Sequence, residues 1–288
     1  MKLDKNMNIL IVGLGLMGGS YAMALTKKGY RVNAVTRSKR SVDLAKKNGL
    51  INEGATEPDK RLVGEADLVI FALYPHVFTE WVEKYQGLFK SGAVITDVTG
   101  VKCGVVEKIQ NVLREDVEFI AAHPMAGREV CGVENSTDAI FEGANYVVTP
   151  TEKNTPEAIE LCEDLGRELG FARISRLSPK DHDTIIAFVS QLTHCIAVSL
   201  MCCQTHDRLQ DYTGDSFRDL TRIARINDEM WSELFLANKK PLLEQIELFE
   251  GELDRLKGYL RSGDRDALRD MMKYSTMRRA LFDKKKDS

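Results

Sequence analysis

The feature that most narrows the choice of fold lies within the first twenty residues. An apolar run, Asn8 to Gly13, leads directly into Gly13-Leu14-Gly15-Leu16-Met17-Gly18, and a helical pattern follows from about Gly15 to Lys28. A G-x-G-x-x-G pattern alone says little. Set between a Val/Ile-rich strand and the start of a helix, it marks a turn that cradles the pyrophosphate of a dinucleotide. The first glycine permits the tight turn, the second lets the backbone approach the phosphates, and the third lets helix and strand pack closely. Unpaired N–H groups at the helix start, from Gly15, Leu16 and Met17, add partial positive charge. The bland alternative is a glycine-rich turn with no ligand, and position, spacing and flanks all weigh against it.

Similar apolar runs recur at Arg31–Thr36, Ala66–Leu73, Ala93–Val98, Glu118–His123 and Ala144–Pro150. They are too short for helices, and their continuous apolarity suits strands covered on both faces. Helical patterns at Ser41–Asn48 and Thr155–Leu169 alternate with them, and Ala172–Leu177 offers a last strand. The alternation predicts an α/β fold: an N-terminal, Rossmann-type, doubly wound parallel sheet. After Ser178-Pro179 the strand signal stops. A long helix is expected over Asp181–Leu209, further helices from Phe217, one of them Lys239–Arg261, and a last one from an N-cap at Asp264 to about Phe282. The expected domains are 1–177, binding the dinucleotide, and 178–288, all-helical. The closing run Lys284 to Ser288 reads as a frayed, solvated end.

Composition closes other routes. A net charge of −3 gives no sign of nucleic-acid binding. The N-terminus lacks a signal peptide, and no apolar run is read as reaching the roughly 18 residues of a membrane span. A cytoplasmic location is therefore expected. The six cysteines form no C-x-x-C pair, so no metal site is expected, and they read as buried or partly buried reduced thiols.

Two further segments carry chemistry. Beyond the second strand, where an acidic residue often meets the adenosine ribose, the chain reads Thr36-Arg37-Ser38-Lys39-Arg40, with no carboxylate before Asp43. Arg37, Ser38 and Arg40 suit a 2′-phosphate, so NADP is preferred over NAD; the alternative is a solvated basic loop. His123-Pro124-Met125-Ala126-Gly127 follows the fifth strand, and ligands bind beyond the carboxyl ends of such sheets. A histidine there can take a proton from a hydroxyl while hydride leaves the same carbon.

The glycine turn, the His123–Gly127 segment, Ser190-Gln191-Leu192-Thr193-His194, and Phe217–Ala224 followed by Trp231 together resemble the prephenate dehydrogenase family, from about Asn8 to about Leu256. The resemblance implies oxidation and decarboxylation of prephenate to 4-hydroxyphenylpyruvate in tyrosine biosynthesis, by a homodimer joined through the helical domain. It implies that His123 is the base and Arg222 holds a substrate carboxylate. His194 and Trp231 would line the pocket, with core packing as the alternative for both, and Glu129 would gate it. A helix-surface ion pair is the alternative for Arg222. The family usually carries a serine in a D-x-G-S-x-K segment. Here Asp97-Val98-Thr99-Gly100-Val101-Lys102 is one residue shorter, Gly100 takes the serine's place, and Thr99 is the candidate substitute hydroxyl. Arg128, where many relatives have a small polar residue, either assists a dianionic substrate or faces solvent. No regulatory or mutase domain is expected, so any control by tyrosine would act at the active site. Other readings are an arogenate dehydrogenase, another Rossmann-plus-helical dehydrogenase acting on hydroxyacids or an imine reductase, and a non-catalytic NADP-binding sensor.

Overall fold

The computed structural model describes residues 2–283, so Lys284 to Ser288 lie outside the described residues. The chain divides into two compact units, Met1–Lys239 and Lys240–Ser288.

In the first unit, strands β1 (Asn8–Val12), β2 (Arg31–Val35), β3 (Glu53–Ala55), β4 (Leu68–Phe71), β5 (Val94–Asp97) and β6 (Glu118–Phe119) form one sheet in the order β3-β2-β1-β4-β5-β6. Every ladder in it is parallel. Helices α1 (Leu16–Lys27), α2 (Lys39–Lys47), α3 (Lys60–Gly64), α4 (Pro75–Tyr85) and α5 (Cys103–Val112) link its strands. Its central strands are apolar from Ile9 to Val12 and from Leu68 to Phe71 because both faces are covered. Ile9 and Ile11 enter one core with Tyr21, Leu25 and Ile70. Leu10 and Val12 enter the other with Val69, Phe71 and Phe78. The strand order reverses between β1 and β4, where a doubly wound sheet opens its ligand crevice.

The single parallel sheet expected from the sequence needs correcting. The run Glu118–His123 breaks at Ile120. Its first half is β6, and the chain then enters a second sheet of β7 (Ala121–Met125), β8 (Asn145–Thr149) and β9 (Arg173–Arg176). There β7 runs antiparallel to β8, with His123 opposite Val147, and β8 runs parallel to β9. The physical cause lies on β5. The Asp97 carboxylate accepts the Ala122 amide at 3.1 Å, so a side chain takes over where a backbone ladder would continue. Pro124, which has no N–H to give, sits on the edge strand of the new sheet, where a proline is tolerated. Helix α6 (Pro156–Leu169) joins β8 to β9. The short strand β3 was not foreseen; its residues, Glu-Gly-Ala, lack β-branched and aromatic side chains.

After Ser178, which caps the next helix by accepting the Asp181 amide, no described residue lies in a strand. Helix α7 (Pro179–Ile186) runs through a π-helical turn, Ala187–Leu192, into α8 (Thr193–Cys202). The helix thus ends well before Leu209, where polar Gln204 to Asp207 replace the apolar pattern. Pro179–Cys202 also corrects the expectation of no membrane-length stretch, since by length and composition it is able to cross a bilayer. Counting consecutive apolar residues missed it because Ser190, Gln191, Thr193 and His194 interrupt the run. Helices α9 (Asp215–Thr221) and α10 (Asp228–Ala237) follow, with a 3-10 turn at Arg222–Ala224 between them.

The second unit is built on α11 (Lys239–Ser262) and α12 (Arg265–Ala280). Gly263, at φ +67°, ends the first, and Asp264 caps the second by accepting the Ala267 amide at 2.9 Å, as its position predicts. All six cysteines are free, but Cys103, Cys131, Cys202 and Cys203 are exposed rather than buried. Most sit at element ends and in loops, where spacing alone says nothing about cover.

Candidate active site

The glycine turn begins where β1 ends. Gly13 has φ +101°, and a Cβ there would stand 2.4 Å from the Ala72 carbonyl oxygen at the end of β4. A Cβ at Gly18 would stand 1.9 Å from the Gly13 oxygen, so the helix can approach the strand only without it. A Cβ on Gly15 would meet nothing within 4 Å, so that glycine borders open space at the start of α1. Gly15 caps α1 without any side-chain hydrogen bond, which leaves the amides of the first turn, Leu16 and Met17 among them, free for an anion. A dinucleotide pyrophosphate fits this cradle.

Beyond β2, Ser38 spends its hydroxyl on its own helix, accepting the Ser41 amide at 3.1 Å. Arg40 reaches Glu134 at 3.5 Å with most of its side chain in water. Arg37 has no charged partner among the described residues.

His123 lies inside β7, rather than in the turn after a parallel strand. Its Nδ1 is 2.9 Å from Nε2 of His182, whose Nδ1 is 2.8 Å from the Asp183 carboxylate. That carboxylate also accepts the amides of Lys102 and Cys103, each at 2.8 Å. These contacts settle the protons. A carboxylate accepts only, so His182 carries its hydrogen on Nδ1 and offers a lone pair at Nε2. His123 then donates from Nδ1, and its Nε2 is left as an open acceptor. Burial, then His182 and Lys102, holds the His123 imidazole well below its ordinary range. Burial also lowers His182. Burial pushes Asp183 upward, but the bonds from His182, Cys103 and Lys102 outweigh it, and its carboxyl stays below the usual carboxylate range.

Sequence reasoning missed His182 and Asp183. The available signal was a His-Asp pair in the first turn of a helix that soon becomes apolar, and its meaning depends on a partner 59 residues away.

Below this chain lies a sealed ion pair. Lys102 and Asp97 are fully buried, 2.6 Å apart. The ammonium donates to the Ala122 carbonyl at 2.6 Å while Asp97 accepts the Ala122 amide, so the pair grips both sides of the residue before His123. Burial lowers Lys102, and Asp97 opposes that shift. Thr99, expected to offer a hydroxyl to His123, turns into this pair instead. It donates to Asp97 and accepts from Lys102 at 3.2 Å. The reason is steric and electrostatic: a two-residue step from Asp97 closes a compact turn around the carboxylate, which also accepts the Thr99 amide at 3.0 Å. It is Gly100 that faces the imidazole, since a Cβ there would lie 3.9 Å from His123 Cε1 and 3.5 Å from Leu234.

The remaining candidates gather in a second group. Arg222 donates to Glu129 at 2.6 Å, across 93 residues, in an exposed ion pair of the kind that the sequence offered as its alternative role. The His194 ring stacks on Trp231 with centroids 3.7 Å apart. Its Nδ1 lies 2.9 Å from the Ser190 carbonyl, which fixes the hydrogen there. Burial lowers His194, and Glu129 and Arg222 act on it in opposite senses. Arg128 is exposed and donates to the Asn135 carbonyl at 3.0 Å. Among the described residues, no cluster of His, Cys, Asp or Glu is placed to hold a metal.

Comparison with known proteins gives one consistent result. The family described as the nucleotide-binding domain of prephenate dehydrogenase matches residues 21–175, and its dimerization domain matches 178–274. A prephenate dehydrogenase of Bacillus subtilis is 30% identical over 90% of this chain and 72% of its own length. The crystal structure of prephenate dehydrogenase from A. aeolicus, in complex with hydroxyphenyl propionate and NAD+, superposes with a TM-score of 0.89. It is 31% identical and covers 98% of this chain and 100% of that one. Arogenate dehydrogenase from Synechocystis superposes at 0.83 with 26% identity, over 96% and 100% of the two chains.

Proposed function

The chain belongs to the prephenate dehydrogenase family of oxidoreductases, and on that premise we propose that it converts prephenate to 4-hydroxyphenylpyruvate and carbon dioxide, as a step of tyrosine biosynthesis. The observation that carries the proposal is the Asp183–His182–His123 chain, which leaves one neutral imidazole nitrogen as a base on a half-buried ring.

The dinucleotide, held by the backbone of Gly13, Gly15, Leu16, Met17 and Gly18, supplies the hydride acceptor when bound. His123 Nε2 takes the proton of the ring hydroxyl as the C–H bond at that carbon gives up its hydride. The resulting ring carbonyl draws the electrons of the breaking C–CO2 bond into the ring, which becomes aromatic. His123 then returns its proton to the phenolate oxygen. Arg222 holds a substrate carboxylate with charge-assisted bonds, displacing Glu129. His194 and Trp231 form a flat wall beside it.

We propose NADP as the preferred cofactor, supported by the run Thr36 to Arg40, which holds two arginines and a lysine and no carboxylate. A second reading, arogenate as substrate, is supported by the Glu129 carboxylate beside Arg222, an acceptor for an ammonium. One assay tests these together: initial rates with prephenate and arogenate, each with NADP and NAD. The proposal requires prephenate turnover and a higher kcat/KM with NADP. A higher value with NAD reverses the cofactor assignment, and turnover of arogenate alone replaces the substrate.

We also propose a homodimer through the helical domain, and a domain junction at 177/178, between the two family matches. Exposed Ile185, Phe188 and Met201 on Pro179–Cys202 support an apolar contact there. Light scattering at micromolar concentration should give twice the chain mass of 32.4 kDa.

A further inference from the structure

Two histidines of the site, His182 and His194, stand on the same continuous helix, twelve residues apart. In an unbroken α-helix that spacing is out of phase by about 120°, so the two would serve different faces. They do not. His182 meets His123, and His194 meets Trp231, whose helix also brings Leu234 against the ring-facing side of Gly100. Between them lies the wide turn Ala187–Leu192, in which hydrogen bonds span five residues instead of four. A turn of that kind takes up one residue without rotating the helix downstream of it, and reduces the offset to about 20°.

The wide turn is also clipped from outside. The Asn238 amide donates to the Asp183 carbonyl before the turn and to the Gln191 side chain within it, both at 2.8 Å. Gln191 in turn donates to the Leu234 carbonyl at 3.0 Å. Asn238 and Gln191 are buried, so these bonds are sheltered from water and costly to leave unmade. They tie the turn itself and the helix before it to the C-terminal end of α10, the helix that carries Trp231.

We propose that the wide turn, clipped by Asn238 and Gln191, is a positioning element that brings two histidines of one helix into phase with a single site. This rests on the assignment of that site as a prephenate dehydrogenase centre. It makes an asymmetric prediction about helix length. Deleting Val189, an exposed residue inside the turn, lets the turn close into ordinary α-helix with His194 still in phase. Inserting one alanine between Thr193 and His194 leaves the turn intact and swings His194 away by about 100°.

The experiment compares both variants in a Trp81→Phe background, where Trp231 is the sole tryptophan. The deletion should keep the parent's Trp231 emission, and the insertion should show that of His194→Ala. This optical readout needs no substrate, so it tests the wide turn even if prephenate is not turned over. On activity, the deletion should stay within about threefold of the parent in kcat/KM. The insertion should lose about a hundredfold, as misplacement of a site group does. Dinucleotide affinity, set at the glycine turn, should be unchanged in both. A deletion that unfolds, or that takes on the His194→Ala emission, overturns the proposal. So does an insertion that keeps the parent's emission. Should the insertion fail to fold, the deletion decides alone.

Discussion

The two ends of the site treat charge in opposite ways. At the His123 end, Asp97, Lys102 and His182 are sealed from solvent and every proton has an assigned place. At the Arg222 end, the ion pair with Glu129 leaves 65% of the arginine side chain and 38% of the glutamate exposed. Removing one partner of a buried pair costs about 3–5 kcal/mol, whereas an exposed pair contributes about 0–1 kcal/mol. The sealed end therefore holds one geometry, and the open end exchanges partners cheaply. A base must sit still with its lone pair aimed, while a substrate clamp must let go of its resting partner.

That contrast breaks most visibly at His123. His123→Asn should lower kcat by about 10²- to 10⁴-fold while leaving dinucleotide affinity unchanged, since the base is lost and the cradle is not. Equal losses in both would mean that His123 supports the fold and not the chemistry. Next, Arg222→Lys keeps the charge but loses the paired donors. A charged hydrogen bond contributes about 1.5–3 kcal/mol, so kcat/KM should fall roughly 10- to 150-fold, chiefly through KM.

His182→Asn sharpens the comparison through pH. Activity needs His123 neutral, so it is lost as pH falls through the His123 pKa. Burial and the neighbouring His182 and Lys102 depress that pKa, which sets the acid limb of kcat below the ordinary imidazole value of about 6.5. Removing His182 takes away the neighbouring imidazole that opposes protonation of His123, and with it the tautomer lock. The acid limb should move to higher pH, with kcat down about tenfold. A profile that keeps its limb while losing amplitude would leave His182 a packing role only. The smallest effect belongs to Glu129→Gln. Freed of its resting partner, Arg222 should bind substrate up to about fivefold more tightly at low salt, and the gain should fade at high salt.

Legibility follows from how far apart the participating residues lie. The glycine turn was readable because its steric demands fall within six consecutive positions. β1 and β4 were readable because two cores claim alternate residues of each, leaving apolar runs from Ile9 to Val12 and from Leu68 to Phe71. The break at Ile120 was not, because it is made by the side chain of Asp97, 25 residues upstream of the amide it captures. Thr99 carried the right functional group, yet its direction is set by Lys102 and Asp97 and not by its own neighbours. The wide turn left no trace in the periodicity, since one extra residue among exposed apolar side chains does not alter the pattern. The pairing of Arg222 with Glu129 was hidden for the same reason as that of His123 with His182: each joins segments that meet only in the folded chain.

Gly100 has an evolutionary consequence. Its backbone is not in the left-handed region that would demand glycine, and a Cβ there meets nothing nearer than 3.5 Å. The position beside the imidazole thus has room for a Cβ, and replacement by serine would bring a hydroxyl near His123. One substitution separates the two states, and the backbone conformation and the space at this position bar neither.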